Sequence, residues 1–233
     1  WRIALARLAD ESEHRTLALL VTCFMTAWLY QWMQFENLGW SFQSQFFLAQ
    51  LLPVLAFYLL HKSVPPDASG YTQPALLFFG LACITGIASA GAMANGVLAL
   101  PLMTAYALIV RMRWWQVGVL ALLSMLILGL YFYDYNSPGH HGSLSEAILQ
   151  TPLQLAFYVA LYLGAPFYYL FGQAMPGAVA AAGATAVMAL VSLTCLYQGV
   201  RNPRASTLKL ALVFGVVYLV GTAVGTGGGR LIF

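Results

Sequence analysis

The chain has 233 residues, 61% of them hydrophobic and 7% charged, with ten Lys/Arg against seven Asp/Glu and a net charge of +3. A water-facing domain carries about 25% charged residues, so a mean hydropathy of +0.78 excludes a soluble globular domain and makes lipid the solvent over most of the surface. The cations are too scattered for nucleic-acid binding, which needs a clustered basic face; they report on topology instead.

Residues 1–15 (WRIALARLADESEHR) are charged, with Ile3, Leu5 and Leu8 interspersed. They read as an interfacial amphipathic segment on the cytoplasmic surface, ahead of a single transmembrane helical domain over 16–233. The run is no signal peptide, because Asp10, Glu11 and Glu13 follow Arg2 and Arg7 and the next apolar block is long enough to span. The start at Trp1 and the stop soon after Gly-Gly-Gly-Arg predict that one or both ends are missing, the C-terminus above all.

A helix needs ~20 mostly apolar residues to cross a ~30 Å hydrocarbon core. By that measure the fold class is all-α, a polytopic transmembrane helix bundle of about eight spans, near 16–34, 46–61, 75–93, 96–111, 116–133, 153–172, 177–197 and 208–226. Pro74 and Pro152 sit where spans begin, and Thr151 is placed to cap the helix that Pro152 opens. Pro53, Pro101 and Pro166 fall inside spans and should kink them, which membrane helices tolerate. Ser143-Leu-Ser-Glu146 fits a capping box, so a short surface helix is predicted over 144–150. The uncharged stretch 75–111 would make a helix of ~55 Å. Ala94-Asn-Gly96 is its one turn signal, so it is read as a hairpin with Asn95 and Gly96 at the outer surface.

Lys/Arg counts set the orientation. With the N-terminus inside, the inner face receives Arg2, Arg7, Arg15, Lys62, Arg111, Arg113 and Arg230, and the outer face Arg201, Arg204 and Lys209. The 198–209 segment fits poorly. Either it is outside and functional, or one span is false; the first reading is adopted. Small residues at four-residue spacing form three rows: Gly86, Ala90 and Ala94; Gly177, Ala181, Thr185 and Ala189; Gly221, Gly225 and Gly229. Such rows let helix backbones approach. Cys23, Cys83 and Cys195 lie in apolar runs, are odd in number and show no CxxC spacing, as small buried apolar residues do.

The longest polar break, Tyr131 to Glu146, and the loops 35–45 and 198–207 hold most of the chemistry. This threading brings Glu36, Asp134, His140, His141, Glu146, Arg201 and Arg204 to the outer face as a candidate ligand-binding set. Guanidiniums suit phosphate and carboxylate, and a histidine near a carboxylate moves protons near neutral pH. The same residues also suit ordinary solvated loops. The adjacent pair His140-His141 lacks a zinc spacing, so no metal is expected, and no cofactor is implied. With no charge in the middle of a span, a proton-coupled pump or ion channel is disfavoured. Haem ligation needs His inside the bundle, and His61 ends a span.

Glu36-Asn-Leu-Gly-Trp-Ser-Phe-Gln-Ser-Gln-Phe46-Phe47 and the late Gly229-Arg230 resemble a group of uncharacterised bacterial polytopic inner-membrane proteins found among envelope-polysaccharide functions. The resemblance implies a multi-pass bacterial inner-membrane location and brings no activity with it. The chain is also loosely similar to polysaccharide polymerases and O-antigen ligases, which are longer and carry a large periplasmic loop that is missing here. The expected function is handling of an envelope glycan or lipid-linked sugar at the outer face. The alternatives are a non-catalytic subunit packing through its small-residue faces into a larger membrane complex, and a small-molecule transporter. The expected partners are membrane lipids, a lipid-linked sugar or partner membrane subunits, and no nucleic acid.

Overall fold

In a solvent that cannot hydrogen-bond, an apolar run must satisfy its own backbone groups, and the helix does so locally. A computed structural model describes residues 44–65, 73–133, 144–172 and 174–230, and all regular structure among them is helical. In order these are α1 (Ser44–Lys62), α2 (Gln73–Ala92), a 3-10 turn (Ala94–Leu98), α3 (Ala99–Ile109), α4 (Trp114–Phe132), α5 (Leu144–Gln150), α6 (Pro152–Leu163), α7 (Ala165–Leu170), α8 (Met175–Arg201) and α9 (Thr207–Arg230). The chain divides into two units, Trp1–Phe47 and Leu48–Phe233. Apart from the first turn of α1, all of these helices belong to the second unit. The expected 1–15 segment and first span, 16–34, lie outside the described residues.

Among the described residues, four helices are long and apolar enough to cross a membrane: Gln73–Ala92, Trp114–Phe132, Met175–Arg201 and Thr207–Gly228. Shorter apolar helices, Phe47–Lys62, Ala94–Ile109 and Pro152–Leu163, accompany them. Their outward faces carry Leu122, Met125, Leu126 and Leu130 on α4 and Val179, Val187, Leu190 and Leu193 on α8, all exposed. A continuous apolar face on that scale belongs against lipid.

The core lies where α1, α3, α4 and α9 meet, around Phe57, Leu60, Leu100, Met103, Tyr106, Leu120, Leu210 and Tyr218. Phe214 of α9 packs its ring on Phe57 at 6.0 Å and edge-on to Tyr106 at 5.8 Å between centroids. The α2–α3 pair is a hairpin, as expected. Gly86 faces Leu100 and Met103 so closely that an added Cβ would meet Leu100 Cδ2 at 2.9 Å. Its turn is not a surface tip, however. Gly96 is buried, its missing side chain leaves room for the Ser89 carbonyl, and Asn95 Nδ2 donates to Thr222 Oγ1 of α9 at 3.0 Å.

The 152–172 stretch differs most from expectation. Instead of a kink at Pro166, the helix breaks at Gly164, and Pro166 sits in the first turn of α7. Gly164 lies against the Ala181 backbone and Gly177 against the Tyr168 and Gly172 carbonyls, so the small-residue row of α8 is filled from within the chain. Thr185 adds a hydrogen bond to the Ala160 carbonyl at 2.9 Å. The other end of α6 rests on α9, where Leu155 and Tyr158 flank Gly227, and Leu144 of α5 flanks Gly228. Thr185 is ~24 Å along α8 from Arg201, so 144–172 makes these contacts in the far part of the two long helices. The segment begins and ends at one end of the bundle. The short helix Leu144–Gln150 forms as expected. Thr151 precedes α6 without capping it; its hydroxyl donates back to the Ala147 carbonyl at 3.3 Å.

Because 152–172 makes no crossing, α8 runs toward the end where α3 finishes. The 198–209 segment therefore lies on the same side as Arg111, which corrects the assignment of Arg111 and Arg201 to opposite faces.

Candidate functional site

Two helix termini build the site. The first is the end of α3. Arg111 N–H donates to the Leu108 carbonyl at 3.1 Å and Met112 N–H to the Ala107 carbonyl at 2.9 Å. This paired pattern closes a helix through one residue in the left-handed conformation, where glycine is usual. Here the residue is Arg111, at φ 58. A side chain at this position costs roughly 1–2 kcal/mol. The second terminus is the end of α8 at Arg201. Asn202 precedes Pro203, whose ring disfavours helical geometry in the residue before it, and Asn202 takes φ −131 and ψ 72. The chain turns there instead of continuing as helix.

The tight turn sends the chain back as α9, with Gly199 closed onto the Leu210 side chain. Buried Thr207 then ties three helices together. Its Oγ1 is 2.8 Å from His61 Nδ1 of α1, and its carbonyl accepts from Tyr106 Oη of α3 at 3.1 Å. These bonds fix the two termini side by side. Between them lies an open cavity of about 520 Å³ lined by Val110, Arg111, Arg201, Asn202, Pro203, Arg204 and Ala205. Arg111, Arg201 and Arg204 are all exposed. The Arg201 guanidinium lies 4.4 Å from the centroid of the Tyr197 ring, which holds it by a cation–π contact. Lys209 Nζ, close by, donates to Gln198 Oε1 at 2.7 Å.

Among the described residues the surrounding charge is of one sign. Of the Lys/Arg among the described residues, Lys62, Arg111, Arg113, Arg201, Arg204 and Lys209 lie at this end, and Arg230 ends α9 at the other. Glu146 is the one acidic residue among the described residues; it is exposed on α5, beside the far end of α9. The 24 residues of α9 set that end ~36 Å from Thr207. Trp114, 82% exposed, and Trp115, 46% exposed, stand just after Arg113. Tryptophans of membrane proteins collect at head-group depth.

Of the seven residues expected from sequence, the structure brings Arg201 and Arg204 together and sets Glu146 at the opposite end. Glu36, Asp134, His140 and His141 lie outside the described residues. Arg111, which sequence reasoning assigned to the other face, completes the cluster. The signal for it was the charge imbalance around 198–209, which a single false span would have cured. Comparison of the chain with protein-family models, curated proteins and solved structures finds no match. Among the described residues no group of three or more His, Cys, Asp or Glu is placed to hold a metal ion. Cys83 is buried and Cys195 half-buried, both as free thiols; Cys23 lies outside the described residues.

Proposed function

We propose that this is a multi-pass protein of the bacterial inner membrane that holds a lipid-borne phosphate, such as that of a lipid-linked envelope sugar, at its basic end. The observation that carries the reading is the convergence of Arg111, Arg201 and Arg204 on one cavity with no carboxylate beside them among the described residues. Planar guanidiniums match phosphate oxygens with paired, charge-assisted hydrogen bonds. The excess of Lys/Arg at this end favours the cytoplasmic side, so the phosphate is bound from the inner leaflet rather than at the outer face. The neighbouring tryptophans support a ligand carried in the bilayer.

The test is binding of the purified full chain, in nanodiscs of zwitterionic lipid, to a polyprenyl phosphate sugar and to a simple lipid phosphate monoester. Both should bind, and free inorganic phosphate should compete weakly. Replacing Arg201 and Arg204 together with Gln should leave membrane insertion intact and remove binding. Unchanged binding by the double variant contradicts the reading.

A further inference from the structure

Helical residues four apart share a face, and side chains on a helix lean toward its N-terminus. Tyr197 and Arg201 stand at that spacing at the end of α8. Arg201 therefore lies back over the tyrosine, with its guanidinium 4.4 Å from the ring centroid. Arg201 also lines the cavity between the ends of α3 and α8. The same spacing recurs at the end of α1, where Lys62 Nζ sits 5.6 Å from the centroid of the Tyr58 ring, but Lys62 is not among the residues that line the cavity. Spacing produces the ring contact in both helices, and in α8 the contact is joined to the site.

A cation–π contact draws on the charge of the guanidinium and leaves its N–H groups to act as donors. An exposed arginine that grips a ligand loses side-chain freedom, and that loss weakens binding. A guanidinium already held over a ring has part of this ordering done before the ligand arrives. Tyr197 is itself 57% exposed, so its side chain contributes little to the packing of the fold, and it does not line the cavity.

We infer that Tyr197 is a positioning residue for the anion, holding Arg201 in the arrangement in which its guanidinium meets phosphate oxygens. The inference rests on the phosphate reading and adds to it a residue that acts through the arginine. A tyrosine that only anchored α8 among head groups would act independently of Arg201. A double-mutant cycle separates the two roles.

The test is the affinity of the purified full chain, in nanodiscs of zwitterionic lipid, for a simple lipid phosphate monoester. Tyr197→Leu should bind roughly 2- to 5-fold more weakly, the range that an exposed cation–π contact supplies. Tyr197→Phe, which keeps the ring, should bind as the wild type does, and both variants should melt with the wild type. In an Arg201→Gln background, where Arg111 and Arg204 remain, Tyr197→Leu should weaken binding no further. Wild-type affinity in Tyr197→Leu would overturn the inference, as would an equal loss in both backgrounds or a loss in Tyr197→Phe as large as in Tyr197→Leu. The variant with Arg201 and Arg204 both replaced by Gln tells this failure from that of the phosphate reading. If it loses binding while Tyr197→Leu does not, the arginines hold the anion without help from the ring. If it binds as the wild type does, the reading and the inference fall together.

Discussion

Arg111→Gly should make the protein more stable and less able to bind its anion. The left-handed backbone at φ 58 costs a non-glycine residue roughly 1–2 kcal/mol. Glycine removes that cost but gives back about 0.5–1 kcal/mol through its freer unfolded chain. The net gain is therefore about 0.5–1 kcal/mol, or ~1–4 °C in midpoint for a chain of this size. The closing bonds from Arg111 N–H and Met112 N–H are backbone bonds and survive. Binding should move the other way, because a hydrogen bond to a charged group is worth about 1.5–3 kcal/mol, roughly a 10- to 150-fold loss of affinity. Differential scanning of the detergent-solubilised protein and nanodisc binding to a lipid phosphate monoester read the two effects. A variant that is less stable than wild type would refute the strain argument. One that binds as tightly would show that Arg111 takes no part in the site. Strained residues are retained where the surroundings use them, and this pair of measurements separates use from accident.

Binding to a phosphate monoester should tighten between pH 5 and 7.5. The second phosphate ionisation near 6 adds negative charge while arginine stays protonated, so titration of affinity against pH should show one rising step. Raising NaCl from about 0.05 to about 0.5 M should weaken binding several-fold, since exposed charges are screened beyond about a Debye length. Gly164→Ala should destabilise by about 1–3 kcal/mol, because its new methyl would collide with the Ala181 backbone. Gly80→Ala, with nothing within 4 Å, should gain up to about 1 kcal/mol by stiffening the unfolded chain; thermal melts compare the two. Thr151→Ala should cost less than about 0.5 kcal/mol, since its side chain does not cap α6, whereas a true capping threonine is worth about 1 kcal/mol.

The helices were legible because apolar length is a strong signal, and several boundaries were legible through proline chemistry. Pro74, Pro152 and Pro203 mark a start, a start and a stop, each for the reason the ring dictates. The short helix at Leu144–Gln150 followed from its capping pattern. What the sequence concealed was direction. Residues 152–172 are as apolar as a span, yet Gly164 lets the chain fold back where a residue with a side chain would strike Ala181. Composition cannot distinguish a crossing from a return of the same length. That one ambiguity inverted everything after it and dispersed Arg111 from Arg201 and Arg204. The turn at Asn95-Gly96 was legible as a break but not as a buried one, because its burial depends on Ser89 and Thr222 from other helices.

The central claim is that Arg111, Arg201 and Arg204 share one side of the membrane. With Cys23, Cys83 and Cys195 replaced by Ala, single cysteines at Arg113, Asn202 and Leu149 should be probed with a membrane-impermeant maleimide in intact cells and in inverted vesicles. Arg113→Cys and Asn202→Cys should label together in inverted vesicles and stay protected in intact cells, with Leu149→Cys showing the reverse. Labelling of Arg113→Cys and Asn202→Cys from opposite sides would contradict the account.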